Sequence, residues 1–267
     1  MARVELPESR LRLRKRRRRL RVSLLIVLLL AVVGGVCVGL AYIPALQVQA
    51  VAVAGTRTLS PNTLETFARD RLAGTYWYVL PKSNIFLYPK RQIAADLMSA
   101  YPVLASADVH ANDFQSIAVN VVEREPRALW CEEVRCFFMD ENGVAYGEAP
   151  VFSEPIYLTY KGALGGDRLP KQYLTPAEFQ ALSALVDAIA QKLADEQIQA
   201  VSVDTAKDVT VQFVSGFTLR FALQDQGGDV FERFTLALTA DPLATRKLSD
   251  FEYLDLRFGD KLYYKLR

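Results

Sequence analysis

Residues Val22–Ile43 read VSLLIVLLLAVVGGVCVGLAYI, and this stretch determines how the rest of the chain is organised. Its 22 residues carry no charge, and as a helix they would span about 33 Å, enough to cross a hydrocarbon core of about 30 Å. Pro44 ends such a helix, and Tyr42 lies where an interfacial aromatic residue is expected. A cleaved signal peptide, the alternative, has an apolar core of about 7–15 residues and a shorter basic region before it. The sequence therefore predicts an uncleaved transmembrane helix over residues 22–43.

A basic cluster directly precedes this apolar run. Residues 10–21 read RLRLRKRRRRLR, whereas no charged residue occurs between Arg21 and Arg57. The positive-inside rule therefore predicts that residues 1–21 form a basic cytoplasmic tail and that residues 44–267 lie on the other side of the membrane. Such a cluster also contacts anionic lipid headgroups. A tail that binds nucleic acid or another protein is the alternative interpretation.

Charge is distributed unevenly along the 267 residues. Residues 1–21 contain ten basic and two acidic residues, a net charge of +8; since the whole chain nets +2, residues 22–267 net −6. An acidic body lacks the cationic surface of a nucleic-acid-binding domain, so we expect no nucleic-acid partner. With 51% apolar and 23% charged residues, the chain is too apolar to be disordered and too charged to be a polytopic transporter.

The sequence lacks the usual signatures of catalysis and metal binding. His110 is the only histidine, and no G-x-S-x-G, H-E-x-x-H, S-x-x-K or Walker-type loop occurs. Glu123–Glu125 and Asp140-Glu141 are acidic groups that solvated turns explain better than acid/base catalysis does. We therefore expect a protein that is not an enzyme, with no catalytic residues, no metal site and no cofactor.

The body after the apolar run divides at Glu123–Pro126, a stretch that is poor in strand-forming residues. Residues 44–123 are predicted to fold as β-α-α-β-β. The predicted elements are a strand at Val48–Ala52, helices after Ser60-Pro61 and after Pro89, and strands at Val103–His110 and Ser116–Val122, joined around Asn112-Asp113.

Residues 124–267 are predicted to form a second domain that is richer in strands. Thr175–Glu178 has the pattern of a capping box and begins a helix, and a second helix is predicted over about Val230–Ala240. The predicted strands are Ala128–Trp130, Phe137–Met139, Val144–Tyr146, Ile198–Val203, Val209–Phe213, Phe217–Leu223, Tyr253–Phe258 and Leu262–Leu266. Helices packed on a mostly antiparallel sheet make the predicted fold class α+β.

Two of the three cysteines lie in this second domain. Cys131 and Cys136 are spaced C-E-E-V-R-C, which does not fit the redox C-x-x-C motif and lacks further zinc ligands. The two residues could face each other across a four-residue hairpin loop, and an oxidising compartment favours a disulfide over two free thiols. Cys37 lies within the apolar run and is interpreted as a small apolar side chain.

With this layout the chain resembles the FtsQ (DivIB) family of bacterial cell division proteins along essentially its whole length. After the basic head and the single span, VQAVAVAGTRTLS resembles the start of that family's POTRA domain, which is itself β-α-α-β-β. NIFLYPKRQIAADLMSAYPVLASADV and IAVNVVEREPRALW resemble the exit from it, with a Glu-Arg-x-Pro signature at Glu123–Pro126. FEYLDLRFGDKLYYK resembles the terminal hairpin of the family.

The resemblance implies a non-enzymatic, single-pass scaffold of the divisome, in the cell inner membrane at the division septum. It implies a POTRA domain over residues 44–123 and a β domain over residues 124–267. The implied partners are FtsB and FtsL homologues, and through them FtsW and its septal transpeptidase, whose peptidoglycan synthesis the scaffold helps to regulate. In the family the FtsB contact lies on and beside the terminal strand. That contact carries over to Arg257, Phe258, Leu262, Tyr263 and Tyr264.

The hydrophobic pattern of the terminal hairpin predicts a register. With residues 259–261 as a three-residue loop, all the apolar side chains of the hairpin share one face: Leu254, Leu256, Phe258, Leu262, Tyr264 and Leu266. Asp255 would then pair with Lys265, and Arg257 with Tyr263. The last strand would form a sheet edge that accepts a partner strand, with Arg257 and Tyr263 as exposed anchors. The alternative is that the lysines of this strand merely protect the edge.

Two other functions remain as alternatives. A POTRA-containing envelope assembly or secretion accessory protein would bind unfolded or translocating chains instead of FtsB. A membrane-anchored periplasmic enzyme would need a pocket in which ionisable groups converge.

Replacing most of the arginines of Arg12–Arg21 by Asn or Gln is expected to scramble the orientation of the chain, because the Lys/Arg bias is the orientation signal. The measurement uses a reporter that is active only outside the cytoplasm, fused after Arg267. It should be active on the unaltered chain and lose much of its activity on the altered one. Full activity after the replacement would show that the cluster does not set the topology.

Overall fold

The computed structural model describes residues 10–132, 135–162, 164, 168–224, 227–259 and 261–267, and side chains from residue 18 onward. Residues 1–9 of the predicted tail and Asp260 of the predicted hairpin loop lie outside this part of the chain. The chain divides into two compact units. The first comprises the residues up to Ala100 together with Ser106–Val122, and the second comprises Tyr101–Ala105 together with Glu123–Arg267. The short segment Tyr101–Ala105 belongs with the second unit, where the Arg124 N–H donates to the Val103 carbonyl at 2.8 Å.

The first helix, α1, runs over Arg10–Ala41, and its segment Arg18–Ala41 is long and apolar enough to cross a membrane. The helix begins well before the predicted residue 22 because Arg, Lys and Leu are good helix formers. It ends at Ala41, whose carbonyl accepts hydrogen bonds from Asn84 Nδ2 at 3.0 Å and Gln47 Nε2 at 2.6 Å. These side chains satisfy a carbonyl that the helix itself leaves unpaired.

The first unit has the predicted strand and helix order, with one short hairpin added. Its elements after α1 are β1 (Ala50–Ala54), α2 (Pro61–Leu72), β2 (Thr75–Tyr76), β3 (Leu80–Pro81), α3 (Lys90–Ala100), β4 (Leu104–Ala111) and β5 (Ser116–Glu123). The sheet order is β1-β5-β4, with β1 parallel to β5. The helices bury Leu64, Ala68, Ile93 and Leu97, and the sheet buries Ile117 and Val119.

The first strand begins later than predicted. The alternation of the sequence places it at Val48–Ala52, whereas the structure has it at Ala50–Ala54. The two residues before it are paired elsewhere, since Gln47 forms an isolated bridge with Asn84 and the Val48 N–H donates to the Ser83 carbonyl at 2.8 Å. A contact distant in sequence therefore moves the strand by two residues.

Gly55, which follows β1, is required by a close approach of two backbone segments. Its φ is +92°, and a Cβ at this position would lie 2.0 Å from the carbonyl oxygen of Val121 in β5. The turn out of the first strand therefore has room only for glycine.

The second unit is built on one large sheet. Its elements are β6 (Ala128–Glu132), β7 (Arg135–Met139), β8 (Val144–Glu148), β9 (Thr159–Lys161), β10 (Lys171–Gln172), α4 (Pro176–Lys192), β11 (Ile198–Val203), β12 (Asp208–Phe213), β13 (Thr218–Ala222), α5 (Gly227–Thr239), β14 (Phe251–Phe258) and β15 (Lys261–Leu266). The ten strands have the order β10-β8-β7-β6-β9-β11-β12-β13-β14-β15. Most neighbours are antiparallel; β6–β9, β9–β11 and β13–β14 are parallel. The predicted α+β class with a mostly antiparallel sheet is confirmed.

Both helices of the second unit pack into the core of this sheet. The predicted capping box at the start of α4 is present: the Glu178 N–H donates to Thr175 Oγ1 at 3.3 Å, and the Thr175 N–H donates to Glu178 Oε2 at 3.1 Å. Phe179 of α4 and Phe234 of α5 are fully buried in one cluster with side chains of the central strands. This core holds in place the strands that lead to the end of the sheet.

Cys131 and Cys136 are joined as a disulfide and face each other across the β6–β7 hairpin. The two sulfur atoms are 2.00 Å apart.

The terminal hairpin has a different register from the predicted one. Asp255 pairs with Tyr263, and Phe258 pairs with Lys261, so the predicted three-residue loop and the pairing of Arg257 with Tyr263 are wrong. The reason is a bulge: Leu256 and Arg257 of β14 together lie opposite a single residue of β15. The bulge moves Phe258 to the face of Lys261 and Tyr263, away from the core face where the pattern placed it.

Gly55→Ala is expected to destabilise the first unit by at least about 2 kcal/mol, because the new methyl group collides with backbone and not with a movable side chain. Gly74→Ala is the matched control, since its φ is also positive at +88° but nothing lies within 4 Å of the added Cβ. Its cost should be only about 1 kcal/mol, from the backbone conformation alone. The free energy of unfolding in urea measures both losses, and equal losses would contradict the close approach.

Candidate protein-binding edge of the sheet

The candidate site lies where the large sheet ends. As predicted, β15 is its outermost strand, and in the part of the chain that the structure describes no strand pairs with its outer side. The Arg267 N–H donates inward, to the Asp250 carbonyl, at 3.0 Å. Backbone groups alternate in direction along an antiparallel strand, so those of Tyr263 and Lys265 also face β14. The N–H and C=O groups of Leu262, Tyr264 and Leu266 therefore face the open side of the sheet.

The predicted contact residues lie on both faces of this edge. Tyr263 is 49% exposed, and its ring lies 5.1 Å from that of Phe258 in an edge-on arrangement. Tyr264 projects to the other face, where its ring lies 5.8 Å from that of the buried Phe251. Leu262 is half-buried against the core. Four of the five predicted residues are thus brought together around the open strand, with aromatic surface on each side of it.

Arg257, the fifth predicted residue, has a structural role in the bulge. Its Nε donates to Asp255 Oδ1 at 2.9 Å, its Nη2 to Asp255 Oδ2 at 2.6 Å, and its Nη1 to Asp208 of β12 at 2.5 Å. The Arg257 N–H also donates to Asp255 Oδ1, at 3.1 Å. The guanidinium therefore links β14 to β12 across the intervening strand, and it lies 5.6 Å over the ring of Phe258. Arg257 orients the exposed aromatic pair instead of projecting freely as an anchor.

The electrostatics of this cluster follow from burial and from these hydrogen bonds. The Asp255 side chain is only 5% exposed. Burial alone would raise the pKa of Asp255, but the hydrogen bonds from Arg257 outweigh it and lower the pKa. The hydrogen bonds that Arg257 donates, to Asp255 first and then to Asp208, raise the pKa of Arg257. Both groups are therefore charged at neutral pH, as the bulge requires.

A shallow apolar cavity of about 360 Å³ adjoins the hairpin on its helix side. It is lined by Leu236 and Leu243 together with Leu256 and Leu262 of the hairpin. Arg233 of α5 holds this arrangement, since its Nη1 donates to the carbonyls of Leu256 at 2.9 Å and Gly259 at 2.7 Å. The sequence predicts this helix but does not connect it with the site. The exposed Leu236, on an otherwise amphipathic helix, is the signal that could have indicated one.

The other predicted residues lie away from this edge. The interpretation of Glu123 and Asp140 as solvated turn charges is wrong, because both are buried and Arg124 Nη1 donates to Asp140 Oδ2. The Cys131–Cys136 disulfide belongs to strands far from β15 in the sheet order, and His110 lies in the first unit beside Asp108, with 2.9 Å between His110 Nδ1 and Asp108 Oδ2. Among the described residues, no group of three or more His, Cys, Asp and Glu side chains could hold a metal ion.

No protein-family model and no curated protein matches this chain. A binding role for the edge therefore has to be argued from its geometry. An open strand with backbone groups facing outward, an aromatic pair on one face and an apolar cavity on the other fits an extended segment of another protein.

Arg257→Ala is expected to destabilise the second unit by about 2 kcal/mol at neutral pH, because it leaves the Asp255 carboxylate buried without its partner. The folded-state pKa of Asp255 is lowered, so its contribution is present above the unfolded pKa of about 3.9 and is lost as the pH falls through the folded pKa. The difference between wild type and variant, measured by urea denaturation, should therefore shrink below about pH 4.

Lys265→Ala is the control for this variant. Lys265 pairs with Glu252 at 2.6 Å in the same hairpin, but both side chains are largely exposed. Its removal should leave stability almost unchanged. Equal losses for the two variants would show that Arg257 forms only an ordinary surface ion pair.

Proposed function

We propose that this chain is a non-enzymatic, single-pass divisome scaffold of the FtsQ (DivIB) type, which binds an FtsB homologue by strand addition at β15. In this proposal residues 1–21 are cytoplasmic and α1 crosses the inner membrane. Residues 44–267 lie outside the cytoplasm at the division septum, and FtsL and the septal synthesis enzymes are reached through FtsB.

The observation that carries the proposal is the open outer side of β15. The three outward-facing residues of this strand present unpaired N–H and C=O groups to solvent. A partner segment that adds as a further strand would satisfy these groups. Lys261 and Lys265 could protect such an edge, but β15 is regular, is six residues long and carries aromatic side chains between these lysines.

The two faces of the edge give the added strand its side-chain preferences. Alternate residues of the partner would lie over Phe258 and Tyr263 on one face and toward the cavity beside α5 on the other. Aromatic and apolar partner residues fit both environments. Lys261, at the start of β15, is exposed and favours an acidic residue nearby in the partner.

The first unit supports the family resemblance in a different way. Its order of elements, β1-α2-α3-β4-β5 apart from the short β2–β3 hairpin, is the order that the resemblance gives for a POTRA domain. The long apolar helix directly before it is the one helix of this kind among the described residues, and it supports a bitopic chain.

Tyr264→Pro is expected to weaken FtsB binding by at least about tenfold compared with Tyr264→Ala, since both variants lose the ring but only proline loses the outward N–H. The measurement is fluorescence anisotropy of a labelled FtsB-homologue segment titrated with each purified chain. Thermal unfolding of both variants checks that the fold survives, as it should at an edge strand.

Equal affinities of the two Tyr264 variants would place the FtsB contact elsewhere. A scaffold for FtsB should also discriminate against unrelated unfolded chains. A secretion or assembly accessory protein would instead bind an unrelated unfolded polypeptide about as tightly as the FtsB segment, so the same titration separates the two functions.

A further inference from the structure

Exposed aromatic side chains gather next to the end of α1. Trp77 and Tyr78 are 84% and 98% exposed at the tip of the β2–β3 hairpin, and Tyr42 and Phe86 are also exposed. Their rings contribute nothing to the core of the first unit. Large exposed aromatic residues grouped in this way mark a surface that meets another phase or another molecule.

Trp77 and Tyr78 project outward from the hairpin because both residues adopt a backbone conformation with positive φ, which is unfavourable for bulky side chains. The Val79 N–H donates to the Tyr76 carbonyl at 2.9 Å and closes a turn, in which Trp77 has φ +46° and Tyr78 has φ +62°. Asn and Gly are the residues that adopt such a turn easily, whereas a bulky side chain at positive φ is strained. Strain of this kind is concentrated at sites of function.

Hydrogen bonds fix this hairpin at the level where the apolar helix ends. Tyr42, directly after α1, donates from its hydroxyl to the Val79 carbonyl at 2.8 Å. Asn84 Nδ2 donates to the Ala41 carbonyl at 3.0 Å, which places the segment that carries Phe86 beside the last turn of the helix. The apolar segment of α1 ends at Ala41, so a membrane surface at the end of that segment lies close to the aromatic tip.

Between Asp70 and Asp96, the segment that contains the tip carries charged side chains of one sign. Residues 71–95 contain four basic residues and no Asp or Glu. Arg71 pairs with Asp96, while Lys82 lies 5.7 Å from the ring of Tyr76 in the hairpin itself. Basic and aromatic side chains without carboxylates suit the headgroup region of an anionic bilayer.

We infer that the Trp77-Tyr78 tip, with Phe86 beside it, docks into the phospholipid headgroup interface on the outer side of the membrane that α1 crosses. The inference rests on the membrane span of the proposed function. Docking gives the first unit a second point of attachment, so that its orientation on the membrane is set by α1 and by the hairpin together.

Tryptophan fluorescence tests this directly, because the chain has only two tryptophans and Trp130 is buried in the second unit. The full chain is reconstituted in phosphatidylcholine–phosphatidylglycerol vesicles that contain lipids brominated either near the headgroup or deep in the acyl chains. The emission lost in the Trp77→Phe variant is the contribution of Trp77. We expect most of this contribution to be quenched by the shallow bromines, less by the deep ones, and little by aqueous acrylamide.

A matched control places a tryptophan at another exposed turn. Val214 is exposed in the β12–β13 turn of the second unit, and Val214→Trp in the Trp77→Phe chain should remain open to acrylamide and unquenched by brominated lipid. Equal quenching at both positions would indicate general adsorption to lipid and would overturn the inference. The inference would also be overturned if the chain floats with the vesicles but brominated lipid does not quench Trp77 emission. That result would leave the membrane span intact. A chain that does not float would overturn the span and the proposed membrane scaffold as well.

Discussion

The need to satisfy backbone hydrogen bonds shapes both ends of this chain. In a hydrocarbon core no water is available for N–H and C=O groups, so an apolar run of this length is stable there only as a helix. Where α1 ends, Asn84 and Gln47 supply the donors that the Ala41 carbonyl lacks. At the other end, β15 keeps a row of such groups open to water. The chain itself satisfies the Ala41 carbonyl at the end of α1, whereas the outward N–H and C=O groups of β15 remain available to a partner strand.

The bulge in β14 determines what a partner would meet at that open end. A regular hairpin would direct Phe258 to the core face and leave Tyr263 without an aromatic neighbour. The extra residue turns Phe258 outward, and the bonds from Arg257 to Asp255 and Asp208 hold the irregular backbone in place. A buried carboxylate that would be costly alone is stabilised by the guanidinium that shapes the surface. The stability of this edge and the shape of its exposed surface therefore depend on the same ion cluster.

Local patterns in the sequence were sufficient for much of the fold and for placing the last strand at the edge of the sheet. The apolar run, the Thr175–Glu178 capping box and the alternation of the last two strands each depend on neighbours a few residues away. The sequence did not predict β9, a strand of three residues. Its strand conformation depends on pairing with β6 and β11, which are distant from it in sequence. The register of the hairpin failed for a related reason, since hydrophobic alternation assumes regular pairing and Asp208, the second partner of Arg257, lies 49 residues away. The Trp77-Tyr78 turn was not predictable from local sequence, because Asn and Gly are the residues that favour positive φ and this turn contains neither.

If a partner binds β15 by strand addition, most of the contacts are made by backbone groups. Many changes in the side chains of the strand would then leave binding possible. Strand addition uses N–H and C=O groups that every residue except proline provides, so affinity depends mainly on keeping β15 regular and exposed. Side chains then add specificity through the two faces, where the aromatic pair and the cavity beside α5 differ in shape. Only the cluster that maintains the bulge restricts residue identity strongly, because a lysine in place of Arg257 could not reach both carboxylates with a planar fork. Binding at such a site would therefore depend more on the backbone geometry of β15 than on the identity of most of its side chains.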